Sequence, residues 1–133
     1  MIIGLGTDIV SISRVQKACE QHKFKAKCFT ECEIEYCESK GKMAGASFAG
    51  FFAAKEAAVK ALGTGFSGLK PIEVEIAKDF MGKPCLRLHG NAEALAEQMG
   101  VSGSYTSISH CDEYAVATVV IESSHTDGGN RGN

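Results

Sequence analysis

The run from Phe48 to Gly65, FAGFFAAKEAAVKALGTG, limits what this chain can fold into more than any other stretch. It reads as one helix with almost no polar side, because Lys55, Glu56 and Lys60 are the only charged residues between Phe48 and Leu62. At about 100° per residue, Phe48, Phe51, Phe52, Val59 and Leu62 share one broad arc, and Ala53, Ala54, Ala57 and Ala61 share the opposite one. A helix apolar on nearly every side is a buried helix. The alanine arc is short enough for another backbone to approach closely. Glu56 and Lys60, four residues apart, meet at the seam between the arcs, and charges on a buried helix need a partner or a ligand. Gly63 stops the helix and Gly65 follows it, a backbone free to take positive φ.

With 133 residues and 44% of them hydrophobic, the chain has enough apolar surface for one core, and residues 1–122 read as a single domain. A net charge of −2 argues against binding a polyanion by bulk electrostatics. No apolar run approaches the roughly 18 residues of a membrane span. Met1 leads into a short strand without a signal-peptide pattern, so the expectation is a soluble, cytoplasmic protein with no membrane contact. The six cysteines (Cys19, Cys28, Cys32, Cys37, Cys85 and Cys111) contain no CxxC pair, and cytosolic thiols stay reduced. Cys28, Cys32, Cys37 and His22 could supply four zinc ligands; the alternative is free, partly buried thiols.

Residues 2–5 read as a short strand that runs into Gly6-Thr7-Asp8. Asp8 is either a turn residue or a carboxylate held at the end of a strand for a metal. Ser11 or Ser13 can cap a helix over about 14–22. From Arg14 to Lys27 there are five basic residues (Arg14, Lys17, Lys23, Lys25, Lys27) and one acidic residue. That patch is either an ordinary solvated face or a docking surface for an acidic protein or phosphates; nucleic acid is not expected, since no recognition motif accompanies it. Thr30-x-x-Glu33 is a capping box for a helix reaching about Ser39. Residues 72–76 and 86–88 alternate as the two strands of a hairpin, with Gly82-Lys83-Pro84 in its turn. Asn91–Met99 is a helix closed by Gly100, and 105–109 and 114–121 are the last two strands. The Ser/Gly/Asn-rich tail from Ser123 to Asn133 is expected to be disordered. Helices early and antiparallel hairpins late predict an α+β fold, with the long buried helix across an antiparallel sheet.

Asp8, Glu56, Lys60 and His110 are the residues able to carry chemistry. Magnesium is held by one or two carboxylates, with water and phosphates completing its octahedron. A lysine beside it neutralises a phosphate oxygen, and the Gly63–Gly65 loop lets backbone approach. The chain has no Walker loop, GxGxxG, GxSxG or HExxH. An enzyme built from these parts takes its nucleophile from the substrate.

Five blocks in order make the chain resemble the small bacterial 4′-phosphopantetheinyl transferases of the holo-[acyl-carrier-protein] synthase type. They are Gly4-x-Gly6-Thr7-Asp8-Ile9-Val10, Lys23-Phe24-x-x-Lys27-x-Phe29-Thr30-x-x-Glu33, Phe52 to Gly65, Gly82-Lys83-Pro84 and Ser107-Ile108-Ser109-His110. The resemblance spans about residues 1–122. It implies transfer of 4′-phosphopantetheine from coenzyme A to a serine of apo-acyl carrier protein, releasing adenosine 3′,5′-bisphosphate, in fatty acid biosynthesis. It implies Mg2+ on Asp8 and Glu56, with Lys60 on the phosphoryl oxygens and Gly63 and Gly65 beside them. His110 with Lys83 and Pro84 would hold the nucleotide end, and Arg14, Lys17, Lys23, Lys25 and Lys27 would face the carrier protein. A homotrimer with sites shared between subunits is also implied. Phe51 departs from the pattern, since the family usually has arginine there; Lys55 is the nearby base that could replace its charge. Lys23 and Lys27 stand where arginines are common, keeping charge without bidentate geometry.

Overall fold

Side chains alternate along a strand, so Gly4, Gly6 and Asp8 share one face of strand β1 (Ile2–Ser11). In the computed structural model, which describes residues 1–124, that face lies against helix α4 (Ala44–Leu62). A methyl group at Gly4 would collide with the carbonyl oxygen of Ala61, and one at Gly6 with that of Ala57. Glycines on the strand and alanines on the helix thus bring two backbones into direct contact. The alanine arc meets a strand of its own chain.

The short strand expected over 2–5 is ten residues long, because β5 (Tyr114–Ser123) pairs with it antiparallel from Ile2↔Glu122 to Ser11↔Tyr114. Asp8 therefore sits within the strand, opposite Ala117, and not in a turn or at a strand end. Strand β4 (Val101–His110) pairs with the other side of β5, giving a sheet of order β1-β5-β4. It begins four residues earlier than its alternation suggested, since Ser102-Gly103-Ser104 carries no apolar signal. Strands β2 (Val74–Lys78) and β3 (Pro84–Leu88) form a separate antiparallel pair. Residues 72 and 73, expected in that hairpin, instead belong to a 3-10 turn opened by Pro71. Helix α5 (Gly90–Met99) ends at Gly100 in a left-handed cap, as its sequence indicated. The α+β architecture with α4 across an antiparallel sheet agrees with the sequence reading. Ser123, placed in the tail by composition, closes β5 and is buried; residues 125–133 lie outside the described part.

The helix expected over 14–22 is two helices. Ser11 caps α1 (Ile12–Ala18), its Oγ accepting from the Arg14 N–H at 3.3 Å. A turn follows, with the Gln21 N–H bonded to the Ala18 carbonyl, and α2 (His22–Cys28) starts anew. The capping box opens α3 (Glu31–Glu38) as the sequence indicated: Glu33 N–H donates to Thr30 Oγ1 at 3.2 Å, and Thr30 N–H to Glu33 Oε1 at 2.8 Å. Helix α4 starts at Ala44, four residues before Phe48, and ends at Gly63 with φ 86°.

Lys55 and Glu33 join these elements inside the core. Both side chains are completely buried, with Nζ 2.8 Å from Oε1. Nζ also donates to the carbonyls of Pro71 and Val74, at 2.9 and 2.8 Å, and Glu33 Oε2 accepts from the Ile76 N–H. Every donor of the ammonium is satisfied. Burial pulls its pKa below the ordinary lysine value, with Glu33 acting in the opposite sense. Lys55 therefore cannot supply the charge missing at Phe51; it serves the fold. Replacing Lys55 by Met leaves the Glu33 carboxylate buried and unpaired, a loss of about 3–5 kcal/mol. Urea titration should show it, and adding Glu33→Gln should recover part of the loss, because an amide carries no charge and its one carbonyl oxygen still accepts one of the two backbone bonds.

Candidate active site

The close crossing of β1 and α4 sets three of the sequence-selected residues side by side. Lys60 reaches across from α4, its Nζ 2.9 Å from Asp8 Oδ1 and donating to the Thr7 carbonyl at 2.9 Å. The lysine expected to pair with Glu56 thus pairs with Asp8, because β1 offers it two acceptors at once. Glu56 lies one turn before Lys60, half-buried, and its carboxylate makes no hydrogen bond or ion pair with the described residues. Burial first, then the negative charge of Asp8, pushes the Glu56 carboxyl above the ordinary carboxylate value, while Lys60 opposes them.

These residues fit a magnesium ion. Glu56 has unclaimed oxygens, Asp8 keeps Oδ2 free of any bond to the described residues, and burial together with the Asp8 charge makes the ionised Glu56 carboxylate costly. A hard divalent cation takes such oxygens and removes that cost. Among the described residues no three His, Cys, Asp or Glu side chains converge, so substrate or water oxygens would complete the shell. His22 and the three cysteines are accordingly not gathered into a zinc site. Burial pushes the Cys19 thiol up to about 11 and the Cys37 thiol up to about 12, with Glu33 adding to the latter.

Gly63 and Gly65 follow directly, with φ 86° and 58° and open space where a Cβ would stand. Their amides are not free for an anion, since the N–H groups of Gly63, Thr64 and Gly65 all converge on the Val59 carbonyl at 3.1–3.2 Å. The loop offers room instead of donors. Pro84 and His110 come together at the other end of α4, where they line a cavity of about 190 Å3 with Phe51, Ser47, Tyr36 and Lys78. His110 is exposed there, its Nδ1 3.4 Å from the Cys111 carbonyl. Lys83 does not line that cavity; it borders the outer face of the sheet beside Pro84, Tyr105 and Thr118. Phe51 and Lys60 are nine positions apart on α4, about 13 Å of helix rise.

The basic patch is divided between α1 and α2. Arg14 edges a groove floored by Ile9, Val15, Ala18 and Phe24. Lys17, Lys23 and Lys27 make no ion pair among the described residues. Lys25 does not belong with them: it turns to α3, 2.8 Å from Glu38, and lies 5.3 Å from the Phe48 ring. The residues that sequence reasoning missed are Tyr36 and Lys78, stacked around Phe51, and the buried partner Glu33. Only Glu33 left a trace, as the residue that closes the capping box of α3.

The chain belongs to the 4′-phosphopantetheinyl transferase superfamily, whose family model matches residues 4–119. Among its relatives, it is 48% identical over 120 residues to the holo-[acyl-carrier-protein] synthase of Ruminiclostridium cellulolyticum, covering 88% of this chain and 90% of that one. The holo-[acyl-carrier-protein] synthase of Neisseria meningitidis superposes with a TM-score of 0.83 at 33% identity, over 92% of this chain and 99% of that one. The Bacillus anthracis enzyme of the same name, solved in complex with CoA (3′,5′-ADP), superposes with a TM-score of 0.78 at 37% identity, over 93% and 99%.

The raised Glu56 carboxyl has a consequence for stability. A carboxyl that binds its proton more tightly in the folded state loses stability as pH rises past its ordinary value of 4.5. Glu56→Gln should therefore melt above the wild type at about pH 7, by a margin that shrinks toward about pH 4.5. Mg2+ should raise the melting temperature of the wild type more than that of the variant. Scanning fluorimetry measures both, and a margin independent of pH would contradict the assignment.

Proposed function

We infer that this chain is a holo-[acyl-carrier-protein] synthase: it transfers 4′-phosphopantetheine from coenzyme A to a serine of apo-acyl carrier protein, releasing adenosine 3′,5′-bisphosphate. The observation that carries this reading is the meeting of Asp8, Glu56 and Lys60 at one backbone crossing, in a chain of this family. Asp8 and Glu56 would hold Mg2+, which supplies charge neutralisation on the diphosphate of the donor. Lys60 holds a compact positive charge where phosphoryl oxygens would lie, and its half-exposed amine can move from Asp8 to a substrate oxygen. The nucleophile is the carrier serine, so the chain contributes positioning and electrostatics and no covalent intermediate of its own. Pro84 and His110 receive the nucleotide end. Arg14, Lys17, Lys23 and Lys27 meet an acidic carrier protein, which their unpaired charge would steer.

A homotrimer is part of the same reading. The outer face of the three-stranded sheet places Leu5, Val120 and Tyr105 in one row and Ile9, Val116 and Ser109 in another. Leu5, Ile9, Tyr105 and Val116 are exposed there, with Thr7, Thr118 and Ser107 between the rows. A largely apolar face of this kind, with Glu122 bonded to the Tyr105 hydroxyl and Lys83 at its border, supports an interface with further copies of the chain. No helix among the described residues is long and apolar enough to cross a membrane, and we place the reaction in the cytoplasm.

With Mg2+, coenzyme A and apo-acyl carrier protein, intact-mass spectrometry should show one phosphopantetheine added to the carrier. Asp8→Ala and Glu56→Ala should each lower the rate by at least about a hundredfold while keeping a native circular dichroism spectrum. No added mass, with a known transferase active alongside, would remove the reading. Val116→Glu should lower the molecular mass measured by light scattering to that of a single chain.

A further inference from the structure

Among the described residues, the Lys78 and Lys40 ammonium groups lie over aromatic rings with no carboxylate partner. The Tyr36 and Phe51 rings stack at 5.5 Å with an interplanar angle of 8°. The Lys78 ammonium lies 5.5 Å from the Tyr36 ring and 5.8 Å from the Phe51 ring, within the range of cation–π attraction. Among the described residues no carboxylate comes within 4.0 Å of it. Lys78 ends β2 and faces the cavity that Ser47, Pro84 and His110 also line, and no acidic side chain lines that cavity. A second amine, Lys40, stands 4.6 Å from the Tyr36 ring. The cavity therefore has an aromatic wall and donor groups at its rim, and nothing in it answers their positive charge.

We propose that Lys78 contacts the 3′-phosphate monoester of the coenzyme A nucleotide and sets the preference of the enzyme for the phosphorylated donor. The inference rests on the transferase reading above and adds a specificity residue to it. A phosphate monoester is close to dianionic at neutral pH, and an ammonium partly withdrawn from water pairs with it more strongly than a freely solvated one. The two rings hold the long lysine side chain over the cavity, so little rotamer freedom remains to be lost when the anion arrives. The ring stack that positions Lys78 requires an aromatic residue at position 51. Phenylalanine there and a lysine across the cavity are two parts of one arrangement: the charge stands on the strand, not on the helix.

Lys78→Gln tests this with coenzyme A and 3′-dephospho-coenzyme A as alternative donors. Its preference for coenzyme A, taken as the ratio of kcat/KM values, should fall by about tenfold through KM, and Lys78→Arg should restore most of it. Equal losses with both donors, or an unaltered ratio, overturn the proposal. Calorimetric titration with adenosine 3′,5′-bisphosphate and adenosine 5′-monophosphate reads the same contact without turnover. The wild type should bind the bisphosphate more tightly than the monophosphate, and Lys78→Gln should lose that difference. A wild type that transfers from neither donor refutes the transferase reading. A wild type that binds both nucleotides equally, or a variant that keeps the difference, refutes the role of Lys78.

Discussion

The contact between the backbone of β1 and that of α4 is the constraint on which the rest of the structure depends. Two glycines on one face of a strand and two alanines on one arc of a helix leave no side chain between them. The next residue on that face of the strand is Asp8. A strand held at that distance delivers its carboxylate to the helix at the level of Lys60 and Glu56; a strand kept away by one methyl group would not. Packing and chemistry are here the same contact. The small residues bring two carboxylates close enough to repel one another, which a protein tolerates where a ligand later relieves the cost.

The long helix, the capping box, both hairpins and the α+β class follow from periodicity and cap chemistry, and these were legible because each is a local signal. The boundaries that moved have local causes as well. Strand β1 extends through two glycines that intrinsic preference would keep out of a strand, since pairing with β5 and the pressure of α4 outweigh it. The 14–28 region breaks into two helices at Cys19–Gln21, where no glycine or proline marks a stop. Asp8, Glu56 and Lys60 could be selected as a group, but their pairing could not: which carboxylate takes the lysine depends on the Thr7 carbonyl, a backbone atom with no sequence signature.

The lysines show the same limit from another side. Lys55 and Lys60 are five residues apart on one helix, yet one is sealed in the core against Glu33 and the other is half exposed at the site. Lys25 reads as part of a basic patch and spends its charge on Glu38. Lys78 reads as an unremarked end of a strand and stands over two aromatic rings. Charge counted along a chain carries no information about direction. What separates these residues is the tertiary neighbour each meets, and a buried ammonium with three acceptors is a structural part whatever motif surrounds it.

The proposed transfer requires one cation and the diphosphate of the donor to meet at the β1–α4 crossing. A crystal structure of this protein with Mg2+ and coenzyme A tests it most directly. The expected result is a cation about 2.0–2.1 Å from oxygens of both Asp8 and Glu56, with Lys60 drawn off Asp8 onto a phosphate oxygen. A cation bound elsewhere, or a diphosphate lying away from Lys60 with the Asp8–Lys60 pair intact, would contradict it.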